Sequence, residues 1–130
     1  MALLWYIAAL LIALAAADSS SSSGGLTTAD VNVYEVKTKL DFAVGQYNLG
    51  TSYTYVSAVQ TVLKAQKQVT GDKGVKYYFD VKLAATNCLK TSLKPVCSVP
   101  ANAKVVTCHF QVWDQALVPR CVQLSQSTCS

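Results

Sequence analysis

Gln68-Val69-Thr70-Gly71-Asp72-Lys73-Gly74-Val75-Lys76-Tyr77-Tyr78-Phe79-Asp80-Val81-Lys82-Leu83 is the stretch that decides the fold. Its second half alternates with a period of two: Val75, Tyr77, Phe79, Val81 and Leu83 fall on one side, and Lys76, Tyr78, Asp80 and Lys82 on the other. That is the signature of a strand with one buried face. Its first half holds two glycines and an aspartate, the composition of a turn. Upstream, from Ser57, the period is again two, with Val59, Thr61, Leu63 and Ala65 pointing one way and Gln60, Lys64 and Gln66 the other. The two runs and the turn predict a β-hairpin.

Further upstream, Val33, Val36, Leu40, Ala43, Val44 and Tyr47 recur at helical spacing, with Glu35, Lys37, Lys39, Asp41 and Gln46 opposite them. This predicts an amphipathic helix with Asp30 as its N-cap and an end near Asn48 to Gly50. Downstream, Val106, Cys108, Phe110 and Val112 share one face of a third run. A break from Asp114 to Pro119 and a short run through Val122 and Leu124 complete a second hairpin. The segment from Asn87 to Lys104, with Pro95 and Pro100, lacks a clean period and reads as an excursion loop. One helix followed by an antiparallel meander is an α+β arrangement, the helix lying across the apolar face of a four- to five-stranded sheet.

The ends have a different character. Residues 1–17 form an apolar run closing on small residues, with Ala15 and Ala17 placed before a cleavage point, and read as a signal peptide. The run has no basic n-region, so a retained membrane anchor is the rival reading, but it is shorter than the roughly 20 residues a bilayer span needs. Residues 18–29, with Ser19 to Ser23 and then Gly24 and Gly25, form a flexible N-terminal segment, and residues 30–130 one compact domain. The net charge of +4 is mild and its basic residues are spread along the chain, unlike a nucleic-acid site. The single histidine, His109, faces outward, and the seven acidic residues show no paired motif, so no catalytic constellation is legible. All five cysteines (Cys88, Cys97, Cys108, Cys121 and Cys129) lie in the last third. In a secreted domain they read as crosslinks with one left over. Without a Cys-x-x-Cys pair, zinc-ligand spacing is absent, and no cofactor is expected. No N-glycosylation sequon occurs.

The residues resemble the type 2 cystatins, secreted proteins of the cystatin fold. The similarity runs through Gly24-Gly25, Leu40-Asp41-Phe42-Ala43-Val44-Gly45-Gln46-Tyr47-Asn48, Ala65-Gln66-Lys67-Gln68, Lys76-Tyr77-Tyr78-Phe79, Cys108-His109-Phe110-Gln111-Val112-Trp113 and Ser125 to Cys129. It covers essentially the whole domain. It implies two disulfides, Cys88 with Cys97 and Cys108 with Cys129, leaving Cys121 over. It also implies reversible inhibition of papain-like cysteine proteases such as cathepsins, through a wedge of three parts: an N-terminal glycine segment, a first loop of the form Gln-x-Val-x-Gly, and a second loop carrying Pro-Trp.

In this sequence the implied protease-binding residues are Gly24 and Gly25, then Gln68, Val69, Thr70, Gly71 and Gly74, then Ala116 and Leu117. Each part departs from the family pattern. Ser22 and Ser23 stand where relatives place apolar anchors. The first loop is either stretched by two residues between Gln68 and Gly74, or runs from Lys67 to Gly71 with lysine for glutamine. Ala116-Leu117 replaces Pro-Trp, and Trp113 falls on the preceding strand in a structural role. Ser52 occupies the position where relatives directed at legumain-type proteases carry asparagine, so that activity is not expected. The implied inhibitor is weak or selective, secreted, and monomeric, with dimers open to it through Cys121 or exchange of the helix and first strand. The alternative is a cystatin-fold binding or host-defence protein with little inhibition.

Overall fold

The computed structural model describes residues 25–91, 96–115 and 121–130. In chain order the elements are β1 (Thr27–Thr28), α1 (Tyr34–Gly50), β2 (Tyr55–Val69), a 3-10 turn (Gly71–Lys73), β3 (Val75–Leu89), β4 (Val105–Asp114) and β5 (Val122–Cys129). The five strands form one antiparallel sheet in the order β1-β2-β3-β4-β5. The expected helix and meander are both present.

The core is what the alternation of β3 dictates. Tyr77, Phe79, Val81 and Leu83 are buried on the inner face, joined by Cys108, Phe110 and Val112 of β4. Helix α1 lays Val36, Leu40 and Ala43 onto that face, with Tyr47 continuing the stripe edge-to-face against Phe110 at 6.2 Å. Each large side chain fully buried in this way contributes about 1.5–3 kcal/mol, which is why a helix of ordinary propensity is held here.

The start of the helix differs from the expected one. Asp30 is not the N-cap. Its Oδ1 accepts from the Asn32 amide at 2.9 Å and its carbonyl from Val33, an Asx turn that aims the chain into the helix. The helix itself begins at Tyr34 with Val33 in the cap position and no side-chain cap bond. Val33 is about half exposed rather than on the packed stripe. Lys39, assigned to the solvent side, points inward instead: its side chain is 12% exposed and its Nζ lies 3.4 Å from Asp114 Oδ2.

The faces of β2 also differ. Register shifts fall between Val59 and Thr61 and between Val62 and Lys64, so Gln60 and Leu63 are extra residues against β3. Directly opposed residues share a face, and the partners Val59↔Leu83, Val62↔Val81 and Ala65↔Phe79 therefore mark the inner positions. They recur every third residue. Leu63 and Thr61, expected on the buried side, are exposed.

One further feature lies outside the expected pattern, while both expected disulfides are present. β1 lies inside the 18–29 segment, pairing Thr27 with Lys67 and Thr28 with Gln66, and Ala29 next to it is buried. The excursion after β3 is tied down by the Cys88–Cys97 disulfide and by paired bonds between Asn87 and Ser98. The second disulfide joins Cys108 of β4 to Cys129 of β5, and Cys121 is free and exposed. Among the described residues, no helix is long and apolar enough to cross a membrane. The apolar run 1–17 lies outside them.

Candidate functional site

The tip of the first hairpin is built by its two glycines. The last cross-strand pair is Val69↔Val75, leaving Thr70 to Gly74 as the tip. The Gly74 carbonyl accepts twice from Thr70, at 2.9 Å from the amide and 2.7 Å from Oγ1, which closes the loop across its base. Gly71 has φ +65° and Gly74 φ +102°, conformations that most side-chain-bearing residues resist, so the turn favours glycine at the first position and requires it at the second. Gln68 sits in the strand opposite Lys76, where its Oε1 accepts from Tyr78 Oη at 3.1 Å. Val69, Asp72 and Lys73 are exposed, the valine 51%.

Strand β4 ends beside this loop. The partners Lys76↔Trp113 and Val75↔Asp114 put Trp113 on the outer face and Asp114 on the inner one. Trp113 Nε1 donates to the Lys73 carbonyl at 2.9 Å, and the Lys76 ammonium stands 5.5 Å from the indole centroid. The indole braces the first loop. Asp114, buried, meets Lys39 of the helix, whose Nζ also lies 5.7 Å from the Tyr77 ring centroid. The stem of the second loop is thereby held to the helix, and Gln115 donates its amide to the Cys121 carbonyl on the far side of that loop.

The N-terminal segment arrives at the same end. Thr27 pairs with Lys67, so the antiparallel register carries Leu26 and Gly25 toward Gln68 and Val69. Gly25 is exposed with open space around it, and Leu26 is 51% exposed. The fold thus brings together Gly25, the 68–74 loop and the stem of the second loop at one end of the sheet. Gly24, Ala116 and Leu117 lie outside the described residues.

Two contributors were not singled out in the sequence. Leu26 follows the glycines directly, where attention falls on the serines before them. Lys39 stands three residues after Val36 and four before Ala43, which places it on the packed stripe, so the spacing held the signal. His109, outward as expected, is 2.6 Å from Asp80, its cross-strand partner. Among the described residues no cluster of His, Cys, Asp or Glu is arranged to hold a metal ion.

One helix packed across a five-stranded antiparallel meander, with two disulfides, defines a class of α+β proteins. A cystatin-domain family model matches residues 24–116. Cystatin-C of Paralichthys olivaceus is 37% identical over 94 residues, covering 69% of this chain and 73% of its own. A cystatin of Oxyuranus scutellatus scutellatus is 34% identical over 115 residues, covering 82% of this chain and 79% of its own. Among solved structures, dimeric human cystatin F superposes with a TM-score of 0.69 at 22% identity, covering 84% of this chain and 88% of that one. A salivary cystatin of the soft tick Ornithodoros moubata gives 0.61 at 20% identity, covering 82% and 97%. The chain belongs to the cystatin family, a family of cysteine-protease inhibitors rather than enzymes.

Proposed function

We propose that the protein is a secreted, reversible inhibitor of papain-like cysteine proteases of the cathepsin type, acting by occlusion of the active-site cleft. The observation that carries this reading is the register that gathers Gly25 and Leu26, the glycine-built tip and the stem of the second loop at one end of the sheet. A narrow cleft admits a tip with little bulk, which the exposed Gly71 supplies, while Gly74 is buried and shapes the turn from beneath. The exposed Val69 and Leu26 flank the tip as apolar contacts, each contributing about 1.5–3 kcal/mol if fully buried. A tip closed by the Thr70–Gly74 bonds and braced by Trp113 loses little entropy on docking. Gly24, Ala116 and Leu117 complete the surface in this reading, the leader 1–17 is removed at Ala17, and the protein works as a monomer.

Asp72 and Lys73, exposed at the tip, favour a second reading. Charges cost free energy to desolvate unless the protease pairs them, which suits a selective inhibitor or a cystatin-fold binding protein with little inhibition. The test uses protein recovered from the medium of cells expressing the full chain, titrated against papain and cathepsins L and B. The first reading expects a new N-terminus at Asp18 and reversible inhibition that V69S weakens by about tenfold or more. No inhibition at micromolar concentration removes the first reading and leaves the second.

A further inference from the structure

We propose that a cavity at the opposite end of the sheet from the wedge binds a small amphipathic carboxylate, with its apolar body on Leu83, Ala85 and Val106 and its head on Lys104 and Tyr53. The cavity measures about 220 Å³. Ala85 and Val106, both half-buried, form an apolar floor above Leu83, which is itself 1% exposed, and helix α1 ends at Gly50. The rings of Tyr53 and Tyr55 make the walls. An apolar cavity of roughly 150 Å³ already accepts benzene, so the space suits one aromatic ring or a short alkyl chain. Ala85 lies ten residues along β3 from Val75, about 33 Å at the rise of a strand, so the cavity is remote from the hairpin tip.

Among the described residues that line the cavity, Lys104 is the one cation. Lys104 Nζ stands 2.8 Å from Tyr53 Oη and 4.2 Å from that ring's centroid. It takes part in none of the three ion pairs among the described residues, and its ammonium rests against the Tyr53 hydroxyl and ring, with the Tyr47 phenol within its electrostatic reach. A carboxylate at this point receives a charge-assisted bond from the ammonium and a second bond from the phenol. A single cation balances a monoanion, whereas a dianion would enter the same mouth with one charge uncompensated. The apolar floor and the cation thus select an amphipathic monoanion over a sugar, a phosphate ester or a neutral hydrocarbon.

The rim is preformed. Asn48 grips the backbone of Ser57 from both sides, donating to its carbonyl at 2.9 Å and accepting from its amide at 2.8 Å. Lys90 holds the intervening loop, its Nζ 2.7 Å from the Thr51 carbonyl and its amide 3.1 Å from that of Thr54. Little ordering remains for a ligand to bring about.

The test is a titration of the intact, oxidised protein with phenylpropionate, and in parallel with uncharged phenylpropanamide, followed by amide and methyl NMR. The expected result is saturable shifts at Leu83, Ala85 and Val106, with the amide binding at least about tenfold more weakly. K104Q, an exposed substitution that leaves the floor intact, weakens the carboxylate by about tenfold, and A85F fills the cavity and abolishes binding. No saturable shift at millimolar ligand, equal binding of acid and amide, or undiminished binding by K104Q overturns the proposal. Because the cavity is separate from the wedge, protease titration of the same samples reports on the other function independently.

Discussion

Lys39 and Asp114 are the polar residues on which the wedge end rests. Both side chains are nearly buried, 12% and 10% exposed, and they link the helix to the last residue of β4. Withdrawing the Lys39 ammonium from a carboxylate this buried costs about 3 kcal/mol, whereas the exposed Lys37–Asp41 pair contributes only tenths of a kcal/mol. K39M is therefore expected to lower stability in a chemical denaturation curve by about 3 kcal/mol, and K37M by less than about 0.5. The pattern of the helix showed six apolar positions but treated every charged residue as solvated. A long side chain can ride a packed stripe when an opposite charge waits at its end, and nothing local to residues 30–50 names Asp114 as that charge.

Tyr47 adds a dependence on pH. Burial pushes its phenol above 10.0, and the neighbouring Tyr53 adds to this, against smaller opposing effects of Thr51 and Lys104. A raised folded value means the unfolded chain loses its proton first. Tyr47 thus contributes stability that is whole below pH 10.0 and is lost as the pH rises through the folded value. Thermal unfolding between pH 9 and 12, chosen to bracket the roughly pH 10 of an ordinary tyrosine, is expected to show a shallower fall for Y47F than for the parent.

At the scale of elements, the first hairpin shows how a backbone requirement and a functional one coincide. Gly74 combines φ 102° with ψ −152°, a region almost closed to other residues. G74A is expected to cost about 1–3 kcal/mol and to weaken protease inhibition in the same titration, whereas G71N, in ordinary left-handed geometry, costs less than about 1 kcal/mol. Equal effects of the two variants on inhibition would detach the tip's shape from its binding. The turn and strand β3 were legible because β3 is central, with an unbroken alternation. β2 was not, because two extra residues shift its faces and a period of two assigns Leu63 to the core. β1 was invisible: two threonines after a serine-glycine tract carry no pattern, and their strand state comes from the Lys67 and Gln66 backbone beside them. Of the candidate site, glycine spacing and the strand ends were readable, while the Trp113 brace depends on a carbonyl forty residues away.

For the molecule as a whole, the two disulfides divide the work of holding a small domain together. Their sequence separations of 9 and 21 correspond to about 2.7 and 3.4 kcal/mol in the chain-entropy model. Cys108 is also fully buried among the core side chains, so its replacement leaves a void. C108A/C129A is expected to lower the melting temperature by more than C88A/C97A, with about 10–20 °C for the former, measured by calorimetry of each pair.

The irregularity of β2 has a consequence for how copies of the chain meet in a concentrated fluid. β1 and Ala29 cover only Ala65 to Lys67, and Asn48 holds the backbone of Ser57, so the outer side of Ala58 to Lys64 is a strand margin to which no other described strand pairs. A flat margin of that length would invite a second copy to add itself by backbone bonding and seed fibrils. Gln60 and Leu63 interrupt the pleat twice within that stretch, so an incoming chain finds no continuous ladder. The same two insertions that scramble the strand's faces work against edge-to-edge pairing along it.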